Sequence, residues 1–240
     1  MTVSHAMVLA AGLGTRMRPL TLTTPKPLVA VAGKTLLDWA LDNVARAGVG
    51  QVVVNLHHLG NLIEAHLGDR ALPLVTCVAE DPVLETGGGV QNALTHLGDE
   101  AFFVLNSDGL WIDAEGASAL KTMAAQWDDA TMDGLLLVHD PAAAFGYDGP
   151  GDFTIGEDGR LARRQENDTN AQVFTGVQLL HPRLFKDAPG GVYSLNVLYD
   201  RALQAGRLYG LTAPGEWHHV GTMDALQHSD AHLRAKSSAS

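Results

Sequence analysis

The chain contains one cysteine, Cys77, so no internal disulfide can form, and nothing argues against a reducing compartment. Cys77 sits in an apolar run and reads as a packed core residue. Basic residues are scarce: 16 Lys and Arg against 27 Asp and Glu give a formal net charge of −11. That balance argues against a nucleic-acid partner, which needs clustered cations, and it means that a polyphosphate must be drawn in locally against the general field. A bound divalent cation would help. Long hydrophobic runs are also missing. No segment reaches the ~18 uncharged apolar residues of a membrane span, and the N-terminus leads into a strand pattern without a signal-peptide profile. The expected location is the cytoplasm, with no membrane partner.

What is present is a soluble, globular composition: 240 residues, 46% hydrophobic and 18% charged, a length that suits one α/β domain. Strand patterns over 6–10, 51–56, 74–79 and 102–106 alternate with helix patterns over 36–47, 59–67 and 89–97. This alternation predicts a Rossmann-like, mostly parallel central sheet covered by helices on both faces, with ligands at the carboxyl ends of the strands. Further on, the pattern predicts a helix over 114–127 and a strand over 135–138. Next come loops and a hairpin over 140–159 turning at Glu157-Asp158-Gly159, and then a strong strand over 173–180. A helix over 197–205 ending at Gly206, a short strand over 208–211, a terminal helix over 222–235 and a frayed tail over 236–240 complete the expectation. Neither a repeat nor a linker divides the chain.

The first strand runs into Ala10-Ala11-Gly12-Leu13-Gly14-Thr15-Arg16-Met17-Arg18-Pro19, followed by Pro25-Lys26-Pro27. Glycine lets backbone N–H groups approach an anion closely, while Arg16 and Lys26 supply a planar fork and a compact ammonium. The prolines restrict where Lys26 can point. Gly12 and Gly14 alone fit an ordinary strand turn equally well; the cations and prolines tip the reading to phosphate. A dinucleotide fingerprint would need Gly or Ala where Met17 stands, and a P-loop ending at Gly33-Lys34-Thr35 would need Gly at Leu28. Both are excluded.

Asp108 follows the apolar run from Ala101 to Leu105, so it is expected at the end of a central strand beside the glycine loop. There it suits a hard divalent cation; as a bland alternative it caps a helix or turn. Asn55 is expected on the same edge. Leu84-Glu85-Thr86-Gly87-Gly88-Gly89 reads as a glycine loop before a helix, offering bare backbone to a flat ligand or simply flexing. The histidine pair His57-His58 reads as solvated, His228 and His232 as neighbours on a surface helix, and Trp39 and Trp127 as core.

The run from Leu9 to Thr21 with Pro25-Lys26-Pro27-Leu28 resembles the signature of the sugar-1-phosphate nucleotidyltransferases. Within that family, the segments around Leu84–Gly89, Gly151-Asp152-Phe153, Phe174-Thr175-Gly176 and His181-Pro182-Arg183 are most similar to members that use UTP and N-acetylmuramic acid 1-phosphate. The resemblance implies an NTP and a sugar 1-phosphate as partners, Mg²⁺ or Mn²⁺ as cofactor, and a monomer or homodimer. It implies a nucleotide-binding half over 1–138 and a small, β-rich sugar-phosphate-binding half over 139–226. By the same similarity Ala10, Ala11, Gly12, Gly14, Thr15, Arg16, Lys26, Asn55, Glu85, Gly87 and Gly88 bind the nucleotide. Gly151, Asp152, Glu166, Asn167 and Thr175 fall on the sugar-phosphate side. Arg16, Lys26 and Asp108 are the expected catalytic residues, with Asp108 and His219 at the metal.

His219 departs from the family pattern. The family has Trp-x-Asp-Val-Gly-Thr where this chain reads Trp217-His218-His219-Val220-Gly221-Thr222. Imidazole suits Mn²⁺, Co²⁺ or Zn²⁺ better than Mg²⁺. Three outcomes stay open: His219 binds metal, Asp108 holds it with water and phosphate, or turnover is impaired. The resemblance implies transfer of a nucleotidyl group from UTP to N-acetylmuramic acid 1-phosphate with release of pyrophosphate. Because the phosphate site does not read the base, a mannose-1-phosphate guanylyltransferase or glucose-1-phosphate thymidylyltransferase is the alternative, and His219 motivates a nucleotide-sugar-binding protein with little turnover.

Overall fold

A computed structural model of the chain describes residues 1–68 and 70–238. In chain order the elements are β1 (His5–Leu9), the short β2 (Ala30–Val31) and β3 (Lys34–Thr35), α1 (Leu36–Arg46), β4 (Gln51–Leu56), α2 (Gly60–Leu67), β5 (Leu74–Ala79) and α3 (Glu85–Ala93). They continue with β6 (Phe102–Asn106), β7 (Gly109–Asp113), α4 (Ala119–Gln126), β8 (Gly134–His139), β9 (Phe153–Ile155) and β10 (Leu161–Arg163). The chain ends through β11 (Val173–Leu180), α5 (Asn196–Gln204), β12 (Leu208–Leu211), β13 (Gly215–His219) and α6 (Met223–Ser238).

Seven strands form the central sheet in the order β12-β8-β11-β6-β1-β4-β5. All neighbours are parallel except β11, which runs antiparallel to both β6 and β8. The period of two sorts side chains to the two faces. Val8, Phe103 and Leu137 pack with Leu37, Leu41, Ile63 and Met123 of α1, α2 and α4, whereas Met7, Phe102 and Leu136 pack with Val90, Leu198 and Ala202 of α3 and α5. Burying a side chain the size of Phe102 or Phe103 contributes about 1.5–3 kcal/mol, so this two-sided cover anchors the strand ends where ligands collect. A third cluster, Met17, Val31, Leu36, Leu110, Val220 and Leu233, fastens α6 beneath the glycine loop. The α/β class and the Rossmann-like, mostly parallel sheet are as expected.

Several boundaries differ. The helix expected over 89–97 begins at Glu85 and takes Gly87, Gly88 and Gly89 into its first turns, followed by a single tight turn at Leu94–His96. Glycine costs a helix about 1 kcal/mol per residue, but these sites admit nothing larger. A Cβ on Gly87 would stand 2.3 Å from the Tyr193 ring, one on Gly88 2.1 Å from the Gly191 carbonyl oxygen, and one on Gly89 2.7 Å from Glu80 Oε1. The helix expected over 114–127 is confined to α4, whose Ser118 side chain accepts from Lys121 N. Residues 114–118 form a turn instead, and ahead of them β7 pairs antiparallel with β13 in a two-stranded ribbon outside the main sheet. The hairpin of β9 and β10 turns at 156–160 as expected, with Gly159 at φ +80.

The terminal helix runs through Ser238, so 236–238 are helical rather than frayed; 239–240 lie outside the described residues. Trp127 is core, while Trp39 is half-buried under the Lys34 ammonium and Cys77 is half-buried at the edge of the core. His57 and His58 are tethered, His57 Nδ1 to the Glu80 carbonyl and His58 Nε2 to the Thr21 carbonyl, instead of standing free in water. Among the described residues no helix is long and apolar enough to cross a membrane.

Candidate functional site

The carboxyl ends of β1, β4 and β6 open into a cleft of about 330 Å³. Ala10, Ala11, Gly12, Gly14, Thr15, Arg16, Lys26, Asn55, Glu85 and Asp108 all line it. Gly14 sits in the left-handed region at φ +60, and a Cβ there would lie 2.9 Å from Thr21 Cγ2 and 3.1 Å from Lys26 Cβ. Only glycine lets the loop fold back this tightly. Thr21 clamps the fold by donating its hydroxyl to the Gly14 carbonyl at 2.8 Å. Gly12 takes no positive φ; a Cβ on it would meet nothing within 4 Å.

On the opposite wall, Asn55 Oδ1 accepts from Ala10 N at 2.7 Å, and its Nδ2 donates to Glu80 Oε1 at 2.7 Å. The second Glu80 oxygen accepts from Leu84 N at 2.9 Å. Glu80 thereby ties three chain segments to one buried carboxylate at the cleft. Glu80 is absent from the expected site; an acid directly after the apolar strand 74–79 was the available signal.

The glycine triplet does not present bare backbone. The N–H groups of Gly87 and Gly88 both donate to the Tyr193 carbonyl, at 2.9 and 3.1 Å, and neither residue lines the cleft. Thr86 from the same helix start does, and its hydroxyl accepts from Leu195 N. The packing needs of Tyr193 and Gly191 account for Gly87 and Gly88, and those of Glu80 and Asn55 for Gly89.

Asp108 follows β6 and occupies the joint between this cleft and a neighbouring pocket of about 160 Å³. Lys26 Nζ donates to Asp108 Oδ2 at 3.0 Å. Burial pushes the Asp108 carboxyl up, but Lys26, with smaller help from His219 and Arg16, outweighs it and holds the group ionised, below the usual carboxylate range. Burial, with Lys26 and Arg16, pushes the His219 imidazole below its ordinary value against the opposing pull of Asp108. His219 is thus neutral, with a lone pair to offer. Its place follows from the ribbon: His219 pairs with Gly109 across β7 and β13, and Val220 N donates to the Asp108 carbonyl at 3.0 Å. A Cβ on Gly221 would lie 2.5 Å from His219 Nε2 and 3.2 Å from Arg16 Nη1, so these two groups converge there.

The smaller pocket is lined by Asn106, Tyr147, Asp152, Thr175, Trp217 and His219 among others. Asp152 Oδ2 accepts from Phe174 N at 2.8 Å, and the buried Thr175 donates its hydroxyl to the Leu137 carbonyl at 2.8 Å. A bulge in β11 between Phe174 and Gln178 brings Gly176, φ +84, against Asn106. Gly151 stands behind the wall, its N–H donated to Tyr147 Oη at 3.2 Å. Glu166 and Asn167 are exposed on the turn after β10 and line neither pocket. Tyr147 and Trp217 were not foreseen here, because only the β7–β13 pairing carries Trp217 to the wall.

The sequence pattern of the nucleotidyl transferase family matches residues 5–236. The chain is 41% identical over 233 residues to an N-acetylmuramate alpha-1-phosphate uridylyltransferase of Caulobacter vibrioides, covering 95% of this chain and 96% of that one. It is 37% identical over 230 residues to the protein of the same name in Neisseria meningitidis serogroup B, covering 94% and 96%. Its fold resembles that of a UDP-glucose pyrophosphorylase solved with UDP-glucose, at a TM-score of 0.79 and 17% identity over 98% of this chain and 99% of that one. The chain belongs to the nucleotidyl transferase family.

Proposed function

We propose that this protein transfers the uridylyl group of UTP to the phosphate of N-acetylmuramic acid 1-phosphate, forming the UDP-sugar and pyrophosphate, as a step of peptidoglycan recycling. The observation that carries the reading is the pair of adjoining pockets that share Asn106 and Asp108. The larger one suits a nucleoside triphosphate, with Arg16 and Lys26 near its phosphates and Asn55, Glu80 and Glu85 on the far side. The smaller one, with Asp152, Thr175 and Tyr147, suits a sugar phosphate. A phosphate oxygen entering from the smaller pocket forms the new bond to the α-phosphorus, while the bond from that phosphorus to the bridging oxygen breaks toward Gly12–Arg16.

The attacking phosphate has a second pKa near ~6 and arrives ionised, so no residue needs to remove a proton. The chain's task is alignment and charge neutralisation: Lys26 and Arg16 meet the charge that spreads onto the departing pyrophosphate. Asp108 and His219 are the residues that would hold a divalent cation, and an ionised carboxylate beside a neutral imidazole is a donor set that fits one. When bound, such a cation neutralises the oxygens of the α-phosphate.

Pyrophosphate release measured with UTP, GTP, dTTP and CTP against N-acetylmuramic acid 1-phosphate and mannose 1-phosphate tests the proposal. The expected result is a preference for UTP with the muramic acid derivative; preference for GTP and mannose 1-phosphate overturns it. Replacing His219→Asp is expected to shift the metal optimum from Mn²⁺ toward Mg²⁺, read as the ratio of rates in the two ions. An unchanged ratio removes His219 from the metal.

A further inference from the structure

Successive residues of β13 face opposite ways, so while His219 turns to the catalytic pocket, His218 turns to α6 and is fully buried. There its Nε2 has no hydrogen-bond partner, a rare condition for a buried ring nitrogen. Its other nitrogen, Nδ1, is held by Ser229 Oγ at 3.1 Å, which fixes the ring. The unpartnered Nε2 looks toward two further donor atoms. Glu216 Oε2, two residues back along β13, is 3.6 Å away. His232 Nε2, reaching down from α6, is 3.1 Å from the same carboxylate oxygen. The three atoms all lie within 4.8 Å of one another.

The surroundings suit a cation. Phe145 covers both imidazoles, stacked on His218 at 4.3 Å and tilted on His232 at 4.5 Å, so the donors meet in a sheltered corner. Lys236 donates to Glu216 Oε1 at 2.7 Å, which leaves Oε2 turned to the rings. A single proton shared by His232 and Glu216 satisfies that contact but leaves His218 Nε2 unused. A metal ion would use all three lone pairs, and Ser229 would then be the outer group that orients His218. Two imidazoles and a carboxylate select Zn²⁺, with Ni²⁺ or Co²⁺ as relatives, and suit Mg²⁺ poorly.

We infer that Glu216, His218 and His232 form a second divalent-metal site, of Zn²⁺ class, which pins α6 to β13 on the face opposite the catalytic pocket. It is separate from the proposed Asp108 and His219 site and does not depend on it.

The experiment uses the full chain stripped of metal by a chelator, in a His219→Ala background that disables the catalytic site. Zn²⁺ is titrated in competition with a chromophoric chelator. One equivalent is expected to bind at ~10 µM zinc or below. Adding His232→Gln is expected to weaken that binding at least ~100-fold, and Glu216→Gln serves as the second variant should the first disturb folding, as judged by circular dichroism. Zn²⁺ should raise the Tm of the parent and leave that of the variants unchanged. X-ray absorption at the zinc edge should report two imidazole nitrogens. No binding by the parent at that concentration, or equal affinity in parent and variants, overturns the inference.

Discussion

Lys26 Nζ and Asp108 Oδ2 meet at 3.0 Å across 82 positions of sequence, with the lysine side chain 11% exposed and the aspartate 32%. The ammonium from the proline-flanked turn and the carboxylate from the end of β6 neutralise one another in the free protein. Under the proposed function, a nucleotide entering the cleft would offer each a replacement partner, phosphate for Lys26 and a cation for Asp108. The pair is therefore an exchange point that keeps both charges ready without leaving either unpaired.

Lys26→Ala is expected to lower kcat about 100- to 1,000-fold, the usual cost of one preorganised charge on a transferring phosphoryl group. Asp108→Asn should be as severe. Because the two act on one reaction centre, the double variant should cost little more than the worse single one. Steady-state kinetics on the three proteins decide this, and simple multiplication of the two losses would refute a shared role.

Glycines with different surroundings should separate binding from stability. A Cβ on Gly12 meets nothing within 4 Å, whereas one on Gly88 would lie 2.1 Å from the Gly191 carbonyl oxygen. Gly12→Ala should leave Tm nearly unchanged and raise the KM for the nucleotide, since the methyl group would enter the cleft proposed to hold the phosphates. Gly88→Ala should cost on the order of 1–3 kcal/mol by overpacking. Thermal melts and KM values of the two variants should diverge in these opposite ways; a matching pattern would mean the triplet serves the ligand directly.

Acid should loosen the turn at Pro182–Phe185, where His181 Nδ1 accepts from Arg183 N at 3.0 Å. Burial and the Arg183 guanidinium lower the His181 pKa below its ordinary 6.5, against Asp129. The unfolded chain then binds more protons than the folded one below about pH 6.5. The stability is complete above that value and falls as pH drops through it. Urea unfolding at pH 7.5 and 5.5 should show a larger loss in the wild type than in His181→Asn, which keeps a cap but does not titrate. Equal losses would assign the pH dependence to other groups.

The parts of the fold readable in the sequence were those governed by short-range periodicity. β4, β6 and β11 coincide with their apolar runs because a strand buried on both faces, whether parallel like β4 and β6 or antiparallel like β11, has no polar face to blur it, and the edge strand β5 keeps its bounds through its β-branched residues. The convergence of Gly14, Arg16 and Lys26 on one cleft was equally legible, since they are close in sequence and the loop folds back through local backbone shape. Gly87–Gly89 misled because glycine reads as a helix breaker from local propensity, whereas contacts with residues outside the helix, Tyr193 for Gly87, Gly191 for Gly88, and Glu80 and Asn55 for Gly89, demand it within a helix. Tyr147 and Trp217 were missed for a related reason. Their roles depend on pairing partners that no window of neighbouring residues contains.

The ribbon of β7 and β13 also sets a timetable. A chain growing from its N-terminus acquires Gly14, Lys26 and Asp108 within its first half, but the strand that closes the second pocket and delivers His219 begins only at Gly215. A partly synthesised chain thus holds the Arg16 and Lys26 side of the cleft without Trp217 and His219 on the wall of the second pocket. The wall of the second pocket therefore exists only once Gly109 and His219, far apart along the chain, have paired.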